Sequence, residues 1–251
     1  MIEKDLNNGV LTLRLAHGKA SVLDLELLQG LIAALEQAQE TPEVKAVILT
    51  GSGSIFSAGV DLKRLLDERE AYASQFVPLL DQSFEVLFEF PKPVIAAVNG
   101  HAIAGGCILV AACDIKLMAR GKGRIGIPEL KVGVPFPVSA FEVLRFAIGR
   151  NKLQALLYQA ETFDPDTALD KGWVDEVLEA DALMGRAQTV AAELAAIPAE
   201  SFRISKAMFR SDSLQRMHRG REQYGEDIQA RWSSDATYTH IENYLAATLK
   251  G

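Results

Sequence analysis

Val94-Ile95-Ala96-Ala97-Val98-Asn99-Gly100-His101-Ala102-Ile103-Ala104-Gly105-Gly106-Cys107 continues through residues 108–113 in apolar and small side chains, and its reading decides the fold. The run is long enough to suggest a membrane span, for which ~20 predominantly apolar residues suffice. Asn99, Gly100 and His101 argue against that. A spanning helix would set polar side chains in lipid with a helix-weakening glycine between them. A buried strand over residues 94–98, a loop, and a buried helix of small residues opening at Gly105 fit the same residues without that penalty.

Working outward, the same order occurs once more. Residues 44–50 (VKAVILT) form a largely apolar, β-branched run expected to be a buried strand. Gly51-Ser52-Gly53-Ser54 turns the chain, and Phe56-Ser57-Ala58-Gly59 makes a tight junction before a helical segment over 61–70. Upstream, Leu11, Leu13 and Leu15 alternate with polar residues as in a strand. Residues 24–39 carry leucines at helical spacing behind a capping Asp24. A helix over 71–90 is expected to end at Pro91 and Pro93. Short strands are expected at 115–118, 124–127 and 174–177, with helices near 139–147 and 152–159. From Asp181 the chain reads as helix, broken at Pro198 and near Asp212 and Ser233. Alternating strands and helices predict an α/β architecture. The organisation expected is a core over residues 1–180 with a helical region over 181–251.

Composition narrows the function. The 251 residues are 49% hydrophobic, which excludes a disordered chain. Two cysteines are too few for a disulfide scaffold or a four-cysteine zinc site. They point to a reducing compartment, and a cytoplasmic location is expected. A net charge of -7 argues against nucleic acid as a partner but leaves room for a small anionic ligand. The start of the chain lacks a basic segment followed by an apolar one, so no secretory signal is expected. Leu249-Lys250-Gly251 does not match a peroxisomal address. No phosphate-binding loop occurs. Phe56 stands where a dinucleotide fingerprint needs its third glycine, and Ile55 where a nucleophile elbow needs its first. His17, His101, His218 and His240 lack metal-ligand spacing, and no metal is expected. His101 is a substrate-lining candidate because of the loop it occupies.

What remains is the pair of small-residue junctions, Ser57-Ala58-Gly59 and Ala104-Gly105-Gly106. Small side chains there allow either tight strand–helix packing or the close approach of a ligand to the backbone. Helix-opening N–H groups are unpaired and carry the positive end of the helix dipole. Two such groups converging on one point would form an oxyanion hole.

These junctions carry a resemblance. Ile55-Phe56-Ser57-Ala58-Gly59-Val60-Asp61-Leu62 is similar to a motif of the enoyl-CoA hydratase/isomerase (crotonase) superfamily. Val98 to Ala102, with Gly105-Gly106-Cys107 and Cys113-Asp114, resembles its second motif. Ile125-Gly126-Ile127-Pro128-Glu129-Leu130, followed by Gly133, resembles its third. The resemblance covers essentially the whole chain. It implies a spiral of ββα units with helical C-terminal elements at a trimer interface, in a homotrimer or a dimer of trimers. It implies an acyl-CoA thioester as substrate, coenzyme A being part of that substrate and no separate cofactor being needed.

The thioester oxygen is expected between the N–H groups of Ala58 and Gly105. Lys19, Ala20, Val60, Asp61, Leu62 and Ile108 are expected to contact the substrate, and Lys63 and Arg64 could meet its phosphates. Hydratases of the family use two glutamates. Here Ile108 stands at the first position and only Glu129 matches the second. A lone acid/base suits a proton shuttle, so the resemblance points to the Δ3,Δ2-enoyl-CoA isomerase branch, moving a 3-enoyl double bond to the 2-position. The alternatives are a hydratase with non-standard water activation and a CoA-ester-binding homologue without catalysis. Ser21, where relatives often carry Asn, and Pro135-Phe136-Pro137, where hydratases are glycine-rich, leave the acyl-chain preference open.

Overall fold

A computed structural model describes residues 1–248; the tripeptide read for a peroxisomal address lies outside the described residues. Four ββα units follow one another. They are β1 (Ile2–Asn7), β2 (Val10–Leu15) and α1 (Leu25–Glu40); β3 (Ala46–Gly51), β4 (Ile55–Ser57) and α2 (Leu62–Glu89); β5 (Val94–Val98), β6 (His101–Ile103) and α3 (Gly105–Ala112); then β7 (Ile115–Ala119), β8 (Ile125–Gly126) and the single-turn α4 (Glu129–Val132). After them come α5 (Val138–Ile148), α6 (Arg150–Gln159), β9 (Thr162–Phe163), α7 (Pro165–Lys171), β10 (Glu176–Leu178), α8 (Leu183–Ala195), α9 (Ala199–Trp232) and α10 (Asp235–Thr248). The implied crotonase spiral is the fold observed.

The first strand of each unit joins a large sheet in the order β1-β2-β3-β5-β7-β10, parallel except for the β1–β2 hairpin. The second strands of the last three units, with β9, form a small sheet in the order β4-β6-β8-β9, while β2 stays in the large sheet. Strands β3 and β5 are buried along their whole length, as parallel strands covered on both faces must be. Period-two alternation divides their side chains. Val47, Leu49, Val94, Ala96 and Val98 join the main core with α1, α2 and α3. Ala46, Ile48, Ile95 and Ala97 face the opposite way and pack beneath Leu183, Ala187, Val190 and Ala191 of α8. No helix among the described residues is long and apolar enough to cross a membrane.

Asp24 is the cap expected, and Asp61, expected as a substrate contact, is a cap too. Asp24 caps α1 by accepting from the Leu27 N–H at 2.8 Å, and Asp61 caps α2 from Arg64 N–H at 3.0 Å. The separate helices expected over 61–70 and 71–90 are two helical segments of α2 that meet at Arg69, whose φ 49° and ψ -129° are not helical. Strand β1 was not anticipated, because most of it is exposed and lacks an apolar face. Its signal is the turn: Asn8 and Gly9, with φ 51° and 82°, make the two-residue loop favoured in tight hairpins.

The break expected near Asp212 is absent, and α9 runs unbroken from Ala199 to Trp232. Its sequence is too polar to show an apolar stripe because much of its docking is ionic. Asp114 accepts from Lys206 at 2.7 Å and from Arg210 at 2.7 Å. Arg210 also donates to the carbonyls of Phe88 and Ala112. Further along, Arg216 pairs with Glu142 at 2.6 Å, and Arg221 clamps Asp81 and Glu85. Removing one partner of a buried pair strands the other charge in low dielectric, which costs ~3–5 kcal/mol. Asp114→Ala is therefore expected to lower unfolding free energy by about that amount in urea titration. A loss within the ~0–1 kcal/mol of an exposed pair would contradict this account of how α9 is held.

Candidate active site

The two junctions meet backbone to backbone. A methyl group on Gly59 would stand 2.7 Å from the Ile103 carbonyl oxygen and 2.9 Å from Ala104 Cβ. One on Gly106 would stand 2.7 Å from the Ser57 carbonyl oxygen. Gly59 also takes φ 85°, a left-handed value that costs glycine little. Ala104 adopts φ 53° and ψ -124°, a region unfavourable for a residue with a Cβ. Strain of ~1–3 kcal/mol persists only where the surroundings over-determine it. Here the Ala104 N–H is bonded to Gly126 O at 2.8 Å, and α3 starts at the next residue. The Asn99-Gly100 pair is structural: Asn99 bridges Gly51 N–H and Gly53 O, and Gly100 lies against the Ser54 carbonyl.

A cavity of about 590 Å³, counting its open mouth, lies at this junction. Ala58, Val60, Leu62, Gly105, Ile108 and Glu129 line it, so six of the nine sequence-predicted residues come together. Lys19, Ala20 and Asp61 do not line it. Lys19 is exposed, and Asp61 is the cap of α2. Arg64 is held by Glu26 at 2.6 Å and Glu68 at 2.8 Å, while Lys63 stands exposed beside it. His101 lies in β6, opposite Ile55, away from the cavity lining.

The donors need one correction. Residues 58–61 run beside residues 20–23, and their N–H groups can be accounted for singly. Ala58 donates to Ala20 O at 3.0 Å, Gly59 to Ser57 Oγ at 3.2 Å, and Asp61 to Leu23 O at 3.1 Å. Val60 N–H has no acceptor among the described residues, nor has Gly105 N–H at the start of α3. Val60 and Gly105 therefore bring unpaired donors to the cavity wall. Ala58 contributes a small side chain, and Ala20 acts by occupying the Ala58 N–H.

Glu129 opens α4, immediately after Pro128. Gly133, left-handed at φ 89°, ends that single turn by returning its N–H to Glu129 O at 3.0 Å. The carboxyl group is thus held between two sharp turns. It is 6% exposed, and its Oε2 has no hydrogen-bond partner. Burial pushes its pKa up to about 8, against the lowering effect of its own backbone N–H. The nearby Cys107 thiol is raised by burial and by the Glu129 charge, so it is not a competing nucleophile. Apolar residues make up most of the remaining wall.

Sequence reasoning missed the rest of the cavity lining. Leu80 and Phe84 come from α2, Val134 and Pro137 from the segment after α4, Trp232 from the end of α9 and Tyr244 from α10. No local pattern marks these residues, because each is an ordinary apolar or aromatic position of its own element. Among the described residues, no group of three or more His, Cys, Asp or Glu side chains is placed to hold a metal.

Comparison with known proteins agrees with the fold. Residues 5–242 fit the family described as enoyl-CoA hydratase/isomerase. Enoyl-CoA delta isomerase 1, mitochondrial, of Rattus norvegicus is 28% identical over 98% of this chain and 86% of its own length. Short-chain-enoyl-CoA hydratase of Clostridium acetobutylicum is 31% identical over 82% of this chain and 78% of its own. The crystal structure of human mitochondrial delta3-delta2-enoyl-CoA isomerase superposes with a TM-score of 0.94 at 25% identity, covering 99% of this chain and 98% of that one.

A buried carboxyl whose pKa is raised on folding contributes stability below its unfolded value. That contribution is lost as pH rises through the folded value. Wild-type protein is accordingly expected to lose stability from about pH 5 until the curve flattens above about 8. Glu129→Gln, which has no proton to lose, is expected to give a flatter curve. Parallel denaturation curves for the two proteins across this range would show that Glu129 is solvated.

Proposed function

Because this chain belongs to the enoyl-CoA hydratase/isomerase family, we propose that it shifts the double bond of a 3-enoyl-CoA to the 2-position, with Glu129 as the one acid/base group. The observation that carries this reading is the pairing of Glu129 with Ile108 on the same cavity wall. Isoleucine offers no lone pair or proton to anchor a water. No second carboxylate occurs among the described lining residues.

The chemistry follows from what the thioester needs. Glu129 takes a proton from C2, and the electrons left behind delocalise through the C3–C4 double bond and the carbonyl. Negative charge collects on the thioester oxygen, where the N–H groups of Val60 and Gly105 receive it. Each such fixed donor is worth several kcal/mol in a site that excludes water. The same carboxyl returns the proton at C4, leaving a C2–C3 double bond conjugated with the thioester. One group does both transfers, so a high pKa is an advantage: the carboxylate is a stronger base and the acid it becomes keeps its proton until C4 is in reach. The apolar wall keeps water from quenching the intermediate.

Relatives named as hydratases match this chain at similar identity, so the test includes both reactions. Glu129→Gln is expected to reduce isomerisation kcat by ~10²–10⁴-fold while acyl-CoA binding persists. In wild type, kcat/KM is expected to rise with pH and level off above about 8, since the base acts deprotonated. Hydration of crotonyl-CoA is expected to stay at background. Fast hydration by the wild type, or full isomerase activity in Glu129→Gln, would overturn the assignment.

A further inference from the structure

Beyond the reaction itself, we infer that Trp232 is the chain-length stop of the acyl pocket, restricting the enzyme to short- and medium-chain esters. This rests on the acyl-CoA reading above. The cavity that holds the donors Val60 and Gly105 and the carboxyl of Glu129 is also walled by Leu80, Phe84, Val134, Pro137 and Trp232, so an acyl chain leaving the thioester must run against these residues. Within a total of about 590 Å³ that includes the mouth, the thioester and the end of its carrier must also fit.

Trp232 is fitted for such a role. It is 1% exposed, and its indole N–H donates to the Pro135 carbonyl at 3.0 Å. Its ring leans on Phe76, with centroids 6.3 Å apart, and Phe76 stacks in turn on Tyr72 at 5.1 Å. A ring backed by two others and pinned at its one polar atom cannot swing aside to admit more chain. Pro135-Phe136-Pro137, the stretch that departs from the glycine-rich hydratase pattern, supplies both the carbonyl that pins the indole and a wall residue.

Beyond that wall there is space. A second cavity, about 820 Å³ with its mouth, is lined by Val77, Asp81, Val138, Ile228 and Gln229. Pro137 lines both cavities, so the partition between them is thin. On α2, Leu80 and Phe84 face the inner cavity while Val77 and Asp81 face the outer one. On α9, Trp232 faces inward while Ile228 and Gln229 face outward. Removing the indole enlarges the inner cavity beside this partition.

Binding of saturated acyl-CoA esters, from butyryl to tetradecanoyl, reads the pocket without needing turnover. Each methylene that finds buried room should tighten binding about fourfold. Calorimetric titration of wild type is expected to show affinity rising with chain length and then breaking off at or before decanoyl-CoA. In Trp232→Ala the rise is expected to continue past that point, with dodecanoyl-CoA bound at least about tenfold more tightly than by wild type. Trp232→Phe, which keeps a ring against Phe76 and better protects the fold, should move the break by a smaller step. A wild-type series that climbs unbroken to tetradecanoyl-CoA, or a break that stays in place in both variants, would overturn the proposal. A break that moves in a protein without isomerase activity would sustain the stop and remove only the reaction. Failure to bind any ester would remove both.

Discussion

Two strand-to-helix junctions are pressed together with no side chain between them, and the rest of the site depends on that contact. Gly59 lies against the Ile103 carbonyl, and Gly106 lies against the backbone of Ser57. A single methyl at either position would force the two main chains apart, because a carbonyl oxygen cannot rotate away as a flexible side chain can. Bringing the junctions together places Val60 and Gly105 on one wall with their N–H groups unspent. The strained turn at Ala104 belongs to the same arrangement: the chain must reverse within one residue for α3 to begin where it does.

Glu129 shows how burial can act against stability and for chemistry at once. A carboxyl group without a cation or a full set of donors is costly to ionise in an apolar wall. Its helix, α4, is one turn long and cannot hold the side chain by itself. It is held by Pro128 before, Gly133 after, and α10 packed against it, where Gly133 lies beside His240.

The C-terminal helices are docked by a different kind of force from the core. Strands β3 and β5 are held by apolar faces, whereas α9 is anchored by Lys206, Arg210, Arg216 and Arg221 on acidic partners from earlier elements. Buried pairs are sensitive to geometry, so they orient as well as attach. Orientation matters at the end of α9, where Trp232 enters the cavity wall. The ionic docking of this helix thus bears directly on the shape of the cavity.

The sequence by itself determined the features that arise within a few residues. The buried strands, the cap at Asp24, both small-residue junctions and the solitary Glu129 beside Ile108 were legible because propensity, period and motif act locally. The hairpin at Asn8-Gly9 went unread although its turn is a local signal, because the exposed strand it creates offers no apolar face. Tertiary structure alone decided which N–H groups remain free. Ala58 and Val60 are equivalent as sequence, and only the run of residues 20–23 alongside them consumes one donor and spares the other. It likewise decided the rest of the pocket wall, since Leu80, Pro137, Trp232 and Tyr244 meet through packing between elements distant along the chain. Hydrogen-bond saturation and cavity shape are properties of neighbours in space, and no local pattern encodes them.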